Sequence, residues 1–133
     1  MVWLLDANML IALSDSEHDH FERAWTWLHS RRRFATSPVV QGALVRHLVR
    51  MGARPTSIKD SLDRLANSPN HEFWPDDLPY AGADLGRVIG HRQVTDAYLV
   101  SLVRRHGPGA RLATLDEALA GLYPDVVDLV GAA

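Results

Sequence analysis

Short apolar runs alternate with helix-like segments along the whole of this sequence, and this alternation is the feature that most restricts its fold. Val2–Leu5 is a continuous apolar run, which is typical of a strand buried on both faces of a parallel sheet. Strands separated by helices predict βαβ units and a mainly parallel sheet. The predicted fold class is therefore α/β, with a central sheet of about four to five strands. The other candidate strands are Phe34–Thr36, Glu72–Trp74, Arg111–Thr114 and Val126–Leu129.

The first predicted helix carries a row of large apolar side chains. Phe21, Trp25 and Leu28 lie at positions i, i+4 and i+7, the spacing of a helix that buries one face. We therefore expect Trp25 to be buried. Trp27 falls outside this row, so it is expected either at the rim of the core or at an interface with a partner.

Capping residues indicate where the later helices begin. Ser37 is a typical N-cap because a proline follows it at the first helical position, and this helix is expected to end near Gly52. Another helix is predicted after Pro55. Thr95 is the predicted N-cap of a helix that runs through Arg105. A short helix is expected between the last two strands.

Composition excludes several classes of protein. The 133 residues match one ordinary domain, so residues 1–133 are expected to form a single domain. The absence of cysteine excludes disulfides and thiolate zinc sites. No apolar stretch approaches the ~20 residues of a membrane span, and the apolar start, which lacks a basic region, is interrupted by Asp6 and Asn8. We therefore expect a cytoplasmic protein without a membrane partner.

Three aspartates occupy the places where an α/β protein would build a cation site. Asp6 directly follows the first predicted strand, Asp116 follows the fourth closely, and Asp96 opens an apolar helical segment. In open parallel sheets, ligands bind beyond the carboxyl ends of the strands. Clustered carboxylates without a basic partner repel one another and usually hold a hard cation such as Mg²⁺. We therefore expect the three carboxylates to converge on one acidic cleft.

Each aspartate also has an ordinary structural interpretation. Asp6 is compatible with an Asx turn, and Asp96 and Asp116 suit helix N-termini because of the helix dipole. Two hydroxyl groups lie close to them in sequence, on Thr95 and Thr114. Such hydroxyls can hydrogen-bond and orient a carboxylate or a metal-bound water.

The chain resembles the PIN-domain ribonucleases, specifically the VapC toxins of bacterial toxin–antitoxin pairs. The resemblance covers nearly the whole chain and rests on the segments LLDANMLIAL, FATSPVVQGALVRHL, TDAYLVSLVRRHG and LATLDEAL. The first and the last two carry acidic positions that match the family, here Asp6, Asp96 and Asp116. The resemblance implies a PIN-like three-layer α/β/α fold and RNA endonuclease activity that depends on Mg²⁺ or Mn²⁺. It also implies a homodimer, inhibition by a VapB-like antitoxin, and a structured cellular RNA such as tRNA or rRNA as substrate.

The chain departs from the family pattern at one position. The family usually has a fourth carboxylate, a glutamate on the helix after the second strand, and the matching residue here is Gln41. A glutamine can offer an amide oxygen or hydrogen-bond a water, but it brings no negative charge and cannot act as a base. Three carboxylates can still hold Mg²⁺, which is often bound by one or two carboxylates plus waters and phosphates. We therefore expect weakened metal binding with activity retained, unless Gln41 is simply helix surface.

The resemblance and metal chemistry together define expected roles. Asp6 and Asp96 are the expected ligands of the first ion, and Asp116 is expected to bind a second ion or to hold a water. The cation would polarise the scissile phosphate and activate a water for in-line attack. The residues expected to support these three are Asn8, Gln41, Thr95 and Thr114.

Basic and histidine residues give weaker signals. Arg46 and Arg50 lie four apart on the helix of Gln41 and are expected either to contact RNA phosphates or to form a solvated face. The run 31–33 is interpreted as loop surface. His18 and His20 match no defined zinc pattern and are interpreted as part of a solvated loop.

Two other functional classes remain as alternatives. A phospho-aspartate receiver needs a lysine after a late strand, but the only lysine is Lys59, within a predicted helix. An aspartyl-phosphate phosphatase needs a second Asp two positions after the first, where this chain has Asn8. A third alternative, a catalytically weak PIN-like module that binds an antitoxin, is kept open by Gln41.

Overall fold

The computed structural model describes residues 1–30 and 32–131 and contains one five-stranded sheet. All neighbouring strands pair in parallel, and their order across the sheet is β3-β2-β1-β4-β5. The predicted α/β class is confirmed, and the strand bounds agree with the predicted ones to within one residue. The strands are β1 (Val2–Leu5), β2 (Arg33–Thr36), β3 (His71–Phe73), β4 (Ala110–Thr114) and β5 (Val127–Leu129).

Both faces of the sheet are covered, which makes the architecture three-layered. Consecutive side chains of a strand point to opposite faces. In β1, Leu4 and Leu5 are both 0% exposed, and Leu112 and Ala113 in β4 are also 0% exposed. The helices of the described residues are α1 (Ala7–Ser14), α2 (Phe21–Leu28), α3 (Pro38–Arg50), α4 (Pro55–Ala66), α5 (Val94–His106) and α6 (Glu117–Leu122).

Helix α1 was not predicted, although it begins two residues after the end of β1. Its side chains Met9, Leu10 and Ala12 are buried, and the helix packs against α2 and α3. Apolar residues lie on more than one side of this helix, so its sequence lacks the one-sided periodicity that reveals a surface helix. The carboxylate of Asp6 caps it by accepting from the Met9 amide.

The prediction that Trp25 is buried was wrong. Its side chain is 45% exposed, whereas Ala24 next to it is fully buried. Trp25 instead stacks on the surface of α2 between Phe21 and His29, with ring centroids 5.5 and 3.8 Å away. Aromatic residues at helical spacing can stack on one another along the exposed surface of a helix. Their spacing is the same as that of residues buried in the core, so spacing alone does not distinguish the two arrangements. Trp27 lies at the rim of the core.

The start of α5 differs from the predicted one. The helix begins at Val94 with Gln93 as its N-cap, so the prediction of Thr95 as N-cap was wrong. A 3₁₀ turn, His91–Gln93, runs straight into the helix and moves its start towards the N-terminus. Thr95 therefore lies exposed within the first helical turn, directly before Asp96.

The start of α3 is held by a residue distant in sequence. Ser37 precedes this helix as predicted, but its hydroxyl makes no capping bond. Asp76 instead accepts a hydrogen bond from the Val39 amide at 2.8 Å, which satisfies one of the free amides of the first turn. The segment between β3 and α5 therefore anchors α3, and it contains one further 3₁₀ turn, Tyr80–Gly82. Within the described residues, no helix is long and apolar enough to cross a membrane.

Candidate functional site

The order of the strands creates a crevice between β1 and β4. From β1 the chain builds β2 and β3 on one side of the sheet, and later β4 and β5 on the other. Ligands of open parallel sheets bind at such a switch point, beyond the carboxyl ends of the strands. Asp6 follows β1 directly, and Asp116 lies two residues beyond the end of β4. Asp96 lies in the first turn of α5, the helix that leads into β4.

Asp6 is buried and held at both carboxylate oxygens. Its side chain is 4% exposed. One oxygen accepts from the Met9 amide at 2.9 Å, and the other accepts from the Thr114 hydroxyl. The side chain of Asp6 therefore bonds the backbone three residues on, as the N-cap of α1, and not two residues on as in the Asx turn interpreted from the sequence.

Asp116 is exposed and caps the next helix. Its Oδ1 accepts from the amides of Ala118 at 2.9 Å and Leu119 at 3.3 Å, at the start of α6. Its own amide donates to the Thr114 hydroxyl oxygen at 3.0 Å. Thr114 thus connects the two aspartates, because it donates to the Asp6 carboxylate and accepts from the Asp116 backbone. The hydroxyl of Thr114 can therefore orient the carboxylate of Asp6, which is the role predicted for it.

The three carboxylates influence one another electrostatically. The pKa of Asp6 is raised from 3.8 to about 6, mainly by burial and in addition by the charges of Asp96 and Asp116, while the hydrogen bonds from Thr114 and Met9 oppose the rise. Burial and the charge of Asp116 raise the pKa of Asp96 to about 6 as well. None of the three carboxylates is in an ion pair within the described residues. The crevice therefore holds acidic groups whose charge is uncompensated.

A cavity of about 220 Å³ opens between Asp96 and Asp116. Arg92 and Gln93 line it together with the two acids. These two residues were not predicted from the sequence, because they lie in the 3₁₀ turn that brings the chain into α5. Four apolar or small side chains complete the lining, from Ala118, Leu119, Leu122 and Tyr123.

A second depression, of about 400 Å³, lies next to Asp116 and contains Asn8. His18, Asp19 and His20 also line it, with Leu115. The sequence indicates a solvated loop at these two histidines. The loop does carry exposed residues, but it folds back beside Asn8 and Asp116.

The other predicted site residues, Asp6 and Thr114 included, line neither cavity. Gln41 is half-buried on α3, and its amide nitrogen donates to the Thr36 hydroxyl at 3.0 Å. That hydroxyl also lies 2.7 Å from Nε2 of His71, whose pKa is lowered by burial. Arg46 and Arg50 are exposed on α3. Their contact with RNA stays a prediction, as does the place of Gln41 in the site.

Two further sequence-based interpretations concern surface residues. Thr95 is exposed on α5 and makes no side-chain hydrogen bond to any residue that the structure describes, so no orienting contact supports its predicted role. In the basic run 31–33, residue 31 lies outside the described residues. Arg33 is exposed and pairs with Glu72 at 2.6 Å, but it is the first residue of β2. Arg32 is half-buried, with its guanidinium 5.0 and 4.8 Å from the ring centroids of Trp3 and Trp27. The interpretation of this run as loop surface was therefore wrong for these two residues.

The donor set of the crevice suits a hard cation in its chemistry. Oxygen ligands with uncompensated negative charge are those that Mg²⁺ prefers, and one or two carboxylates are often enough, because waters and phosphates supply the other ligands. Across residues 1–30 and 32–131, no group of three or more acidic or histidine side chains is already arranged to hold an ion.

Comparisons with known proteins give matches over almost the whole chain. A family model described as "PIN domain" matches residues 3–123. Ribonuclease VapC29 of Mycobacterium tuberculosis is 50% identical over 131 residues, covering 98% of this chain and 97% of that protein. Ribonuclease VapC39 of the same organism is 35% identical over 130 residues, covering 90% and 92%. The crystal structure of FitAcB from Neisseria gonorrhoeae has a TM-score of 0.60 at 20% identity, covering 96% of both chains, which shows a shared fold.

Proposed function

Because this chain belongs to the PIN-domain family, and within it to the VapC ribonucleases, we propose that it is the toxin of a type II toxin–antitoxin pair and acts as a metal-dependent RNA endonuclease. The observation that carries the proposal is the placement of Asp6, Asp96 and Asp116 around the crevice between β1 and β4. The receiver and phosphatase alternatives are not favoured, because the family match points to ribonucleases. Lys59 also lies exposed on α4 and lines neither cavity.

The carboxylates have separate roles in this proposal. Asp6 and Asp96 hold the first cation, with Mg²⁺ as the proposed ion and Mn²⁺ as the alternative. When bound, a divalent cation supplies a Lewis acid for the scissile phosphate and lowers the pKa of a water. Asp116 holds a water or a second ion through the carboxylate oxygen that does not cap α6. Thr114 keeps the Asp6 carboxylate in place through its hydroxyl.

The reaction is the hydrolysis of a phosphodiester bond. The oxygen of the attacking water bonds to phosphorus, and the bond from phosphorus to the ribose oxygen opposite it breaks. The leaving oxygen gains a proton, and the attacking water loses one. In the metal-free protein the pKa values of Asp6 and Asp96 are about 6, so protons compete with a cation for these carboxylates below that pH. We therefore expect metal binding to weaken, and cleavage at a limiting metal concentration to fall, as the pH drops below about 6.

We propose the partners from the same family membership. A VapB-like antitoxin is the expected inhibitor, and a structured cellular RNA such as tRNA or rRNA is the expected substrate. The active form is proposed to be a homodimer in the cytoplasm. The names of the relatives support the ribonuclease activity of this chain, because half of the aligned residues are identical to VapC29.

Induced expression of the chain with mapping of cellular RNA ends tests the proposed function. We expect growth arrest and new ends at discrete positions in one RNA or a few RNAs. The Arg64→Gln variant, which changes an exposed side chain on α4, serves as a control that should give the same ends. Normal growth and unchanged RNA ends in cells that accumulate the folded protein would contradict the proposal.

Gln41→Glu should strengthen the dependence of stability on metal. If position 41 faces the acidic crevice, a fourth carboxylate adds attraction for a cation. Without metal, the added charge should raise a carboxylate pKa through repulsion and destabilise the fold. We therefore expect tighter Mg²⁺ or Mn²⁺ binding by calorimetry, and a larger rise in melting temperature on adding metal.

The matched control for this prediction is Ser57→Glu, which adds the same charge to an exposed position in the first turn of α4. It should leave metal affinity unchanged. Equal metal affinity and equal stability of the wild type and Gln41→Glu would place Gln41 outside the site.

A further inference from the structure

Asp116 lies at the junction of two depressions that have different linings. The cavity of about 220 Å³ contains Arg92, Gln93 and Asp96, and the depression of about 400 Å³ contains Asn8 and the loop with His18 and His20. Asp116 is the residue that the two linings share. The acidic crevice therefore continues on both sides into surfaces that carry hydrogen-bond donors.

On one side the donor is an arginine without an acidic partner. Arg92 is exposed and is in no ion pair within the described residues, although Asp96 and Asp116 line the same cavity. A guanidinium presents five N–H donors in a planar fork that matches phosphate oxygens. Its donors are therefore available to a phosphate that enters this cavity.

On the other side the orientation of a histidine is fixed by the backbone. Nδ1 of His18 accepts a hydrogen bond from the His20 amide at 3.0 Å. A ring nitrogen that accepts carries no proton, so the proton of the neutral ring is on Nε2. His18 thus offers Nε2–H as a donor, and the side-chain amide of Asn8 lies in the same depression. Asp19, between the two histidines, is the one acidic residue of this loop that lines the depression.

A phosphodiester strand needs these donors because the centre of the crevice is acidic. Three carboxylates repel the phosphates of RNA, and a cation offsets this repulsion only at the reacting phosphate. Contacts on both sides of that phosphate would hold the strand in place. Single strands are typically bound by basic side chains along the backbone and by rings that stack on bases. The rings of His18 and His20, with centroids 5.7 Å apart, are available for stacking.

We propose that a single-stranded stretch of RNA crosses the site at Asp116, with the nucleotide on one side of the cleaved bond at Arg92 and the nucleotide on the other side at His18 and His20. This inference rests on the proposed ribonuclease function and adds the path of the substrate. It defines Arg92, His18 and His20 as binding residues that act outside the reacting bond.

Cleavage kinetics on a single-stranded oligoribonucleotide that contains a mapped cleavage site test this path. We expect Arg92→Gln, and His18→Asn combined with His20→Asn, each to raise KM roughly ten-fold, the size expected for losing a hydrogen bond to a charged group. The fall in kcat should be smaller, because these groups bind the strand and do not touch the reacting atoms. Arg64→Gln and His29→Asn change exposed residues outside both depressions and should match the wild type.

Salt dependence separates a phosphate contact from a general loss of folding. For single strands, the slope of log affinity against log salt changes by about 0.7 for each phosphate contact. Arg92→Gln should make the slope shallower by about this amount, and Arg92→Lys, which keeps the charge, should restore most of it. Thermal melts of every variant show whether the fold is retained.

Shortened RNAs give the sharpest test, because the path assigns the two groups of residues to opposite ends of the substrate. Removing nucleotides from one end of the RNA should eliminate the rise in KM caused by Arg92→Gln and leave the rise caused by the histidine substitutions. Removing nucleotides from the other end should eliminate the rise caused by the histidine substitutions and leave the rise caused by Arg92→Gln. Sensitivity of both groups to the same end would overturn the proposed path.

Three further outcomes would also overturn it. If the wild type cleaves RNA but the variants equal the controls, the path is wrong and the proposed function stands. If the wild type cleaves no RNA, the proposed path and the proposed ribonuclease function are both wrong. If the substitutions weaken binding of the co-expressed antitoxin and leave KM unchanged, the two depressions bind the protein partner and not the RNA.

Discussion

Asp96→Asn is expected to abolish RNA cleavage and growth arrest while the protein stays folded. The substitution keeps the shape of the side chain and removes the charge that a cation needs. Asp96 lies in the first turn of α5 and lines the cavity with Asp116. Removing one group that stabilises the charge developing in the transition state typically lowers kcat by about 100-fold or more. Because Asp96 is proposed to hold the cation that stabilises this charge, we expect a loss of at least that size.

Cleavage of the mapped oligoribonucleotide and growth of an expressing host measure this effect. Asp60→Asn is the matched control, because Asp60 is an exposed aspartate on α4. It should retain full activity. Growth arrest of wild-type strength caused by a folded Asp96→Asn protein would refute the catalytic role of Asp96.

Asp6→Asn should have two opposite effects, a loss of cleavage and a gain in the stability of the metal-free protein. Asp6 is buried, and its pKa is raised from 3.8 to about 6. A carboxyl group with a raised pKa stabilises the fold when protonated, and this contribution is lost as the pH rises through about 6. At neutral pH the charged side chain therefore destabilises the metal-free fold.

Asparagine removes that charge and is itself a good N-cap, so the bond from the Met9 amide can be kept, but its NH2 group cannot accept the hydrogen bond that Thr114 donates to Asp6, and this loss offsets part of the gain. We expect a gain of about 2 kcal/mol in the free energy of unfolding at neutral pH, or several degrees in melting temperature for a domain of this size. Added Mg²⁺ should stabilise the wild type and have little effect on the variant.

Thermal melts of metal-free protein across the acidic to neutral range measure the sign of this effect. Wild-type stability should contain a component that decreases between about pH 4 and pH 6, and this component should be smaller in Asp6→Asn. Asp60→Asn should keep the wild-type profile in this range. Identical profiles and an identical response to Mg²⁺ in the wild type and Asp6→Asn would contradict the electrostatic argument.

Features that depend on local sequence could be predicted, and features that depend on tertiary contacts could not. The apolar run Val2–Leu5 and the acid after it locate the central strand and the crevice, because parallel strands are recognised by continuous apolar residues. Trp25 was misplaced because its spacing fits a buried face, while its actual neighbours are Phe21 and His29 on the same helix. Helix α1 was missed because its apolar residues show no single face.

The candidate site shows the same division. The positions of Asp6 and Asp116 follow from strand ends, which the sequence reveals. Arg92 and His18 reach the crevice from a 3₁₀ turn and a loop, whose direction depends on the packing of distant segments. Gln41 was recognised only through resemblance, and its amide binds Thr36, a contact that no spacing rule predicts.

The central strand β1 is synthesised well before its partner β4. The hydrogen bond between Asp6 and Thr114 joins residues 108 positions apart. At a translation rate of about 5–20 residues per second, the first strand waits roughly 5–20 s for this partner. A nascent chain that stops before β4 has Asp6 without Thr114 and Asp116. The acidic crevice is therefore complete only after β1, α5 and β4 have all been synthesised, together with Asp116.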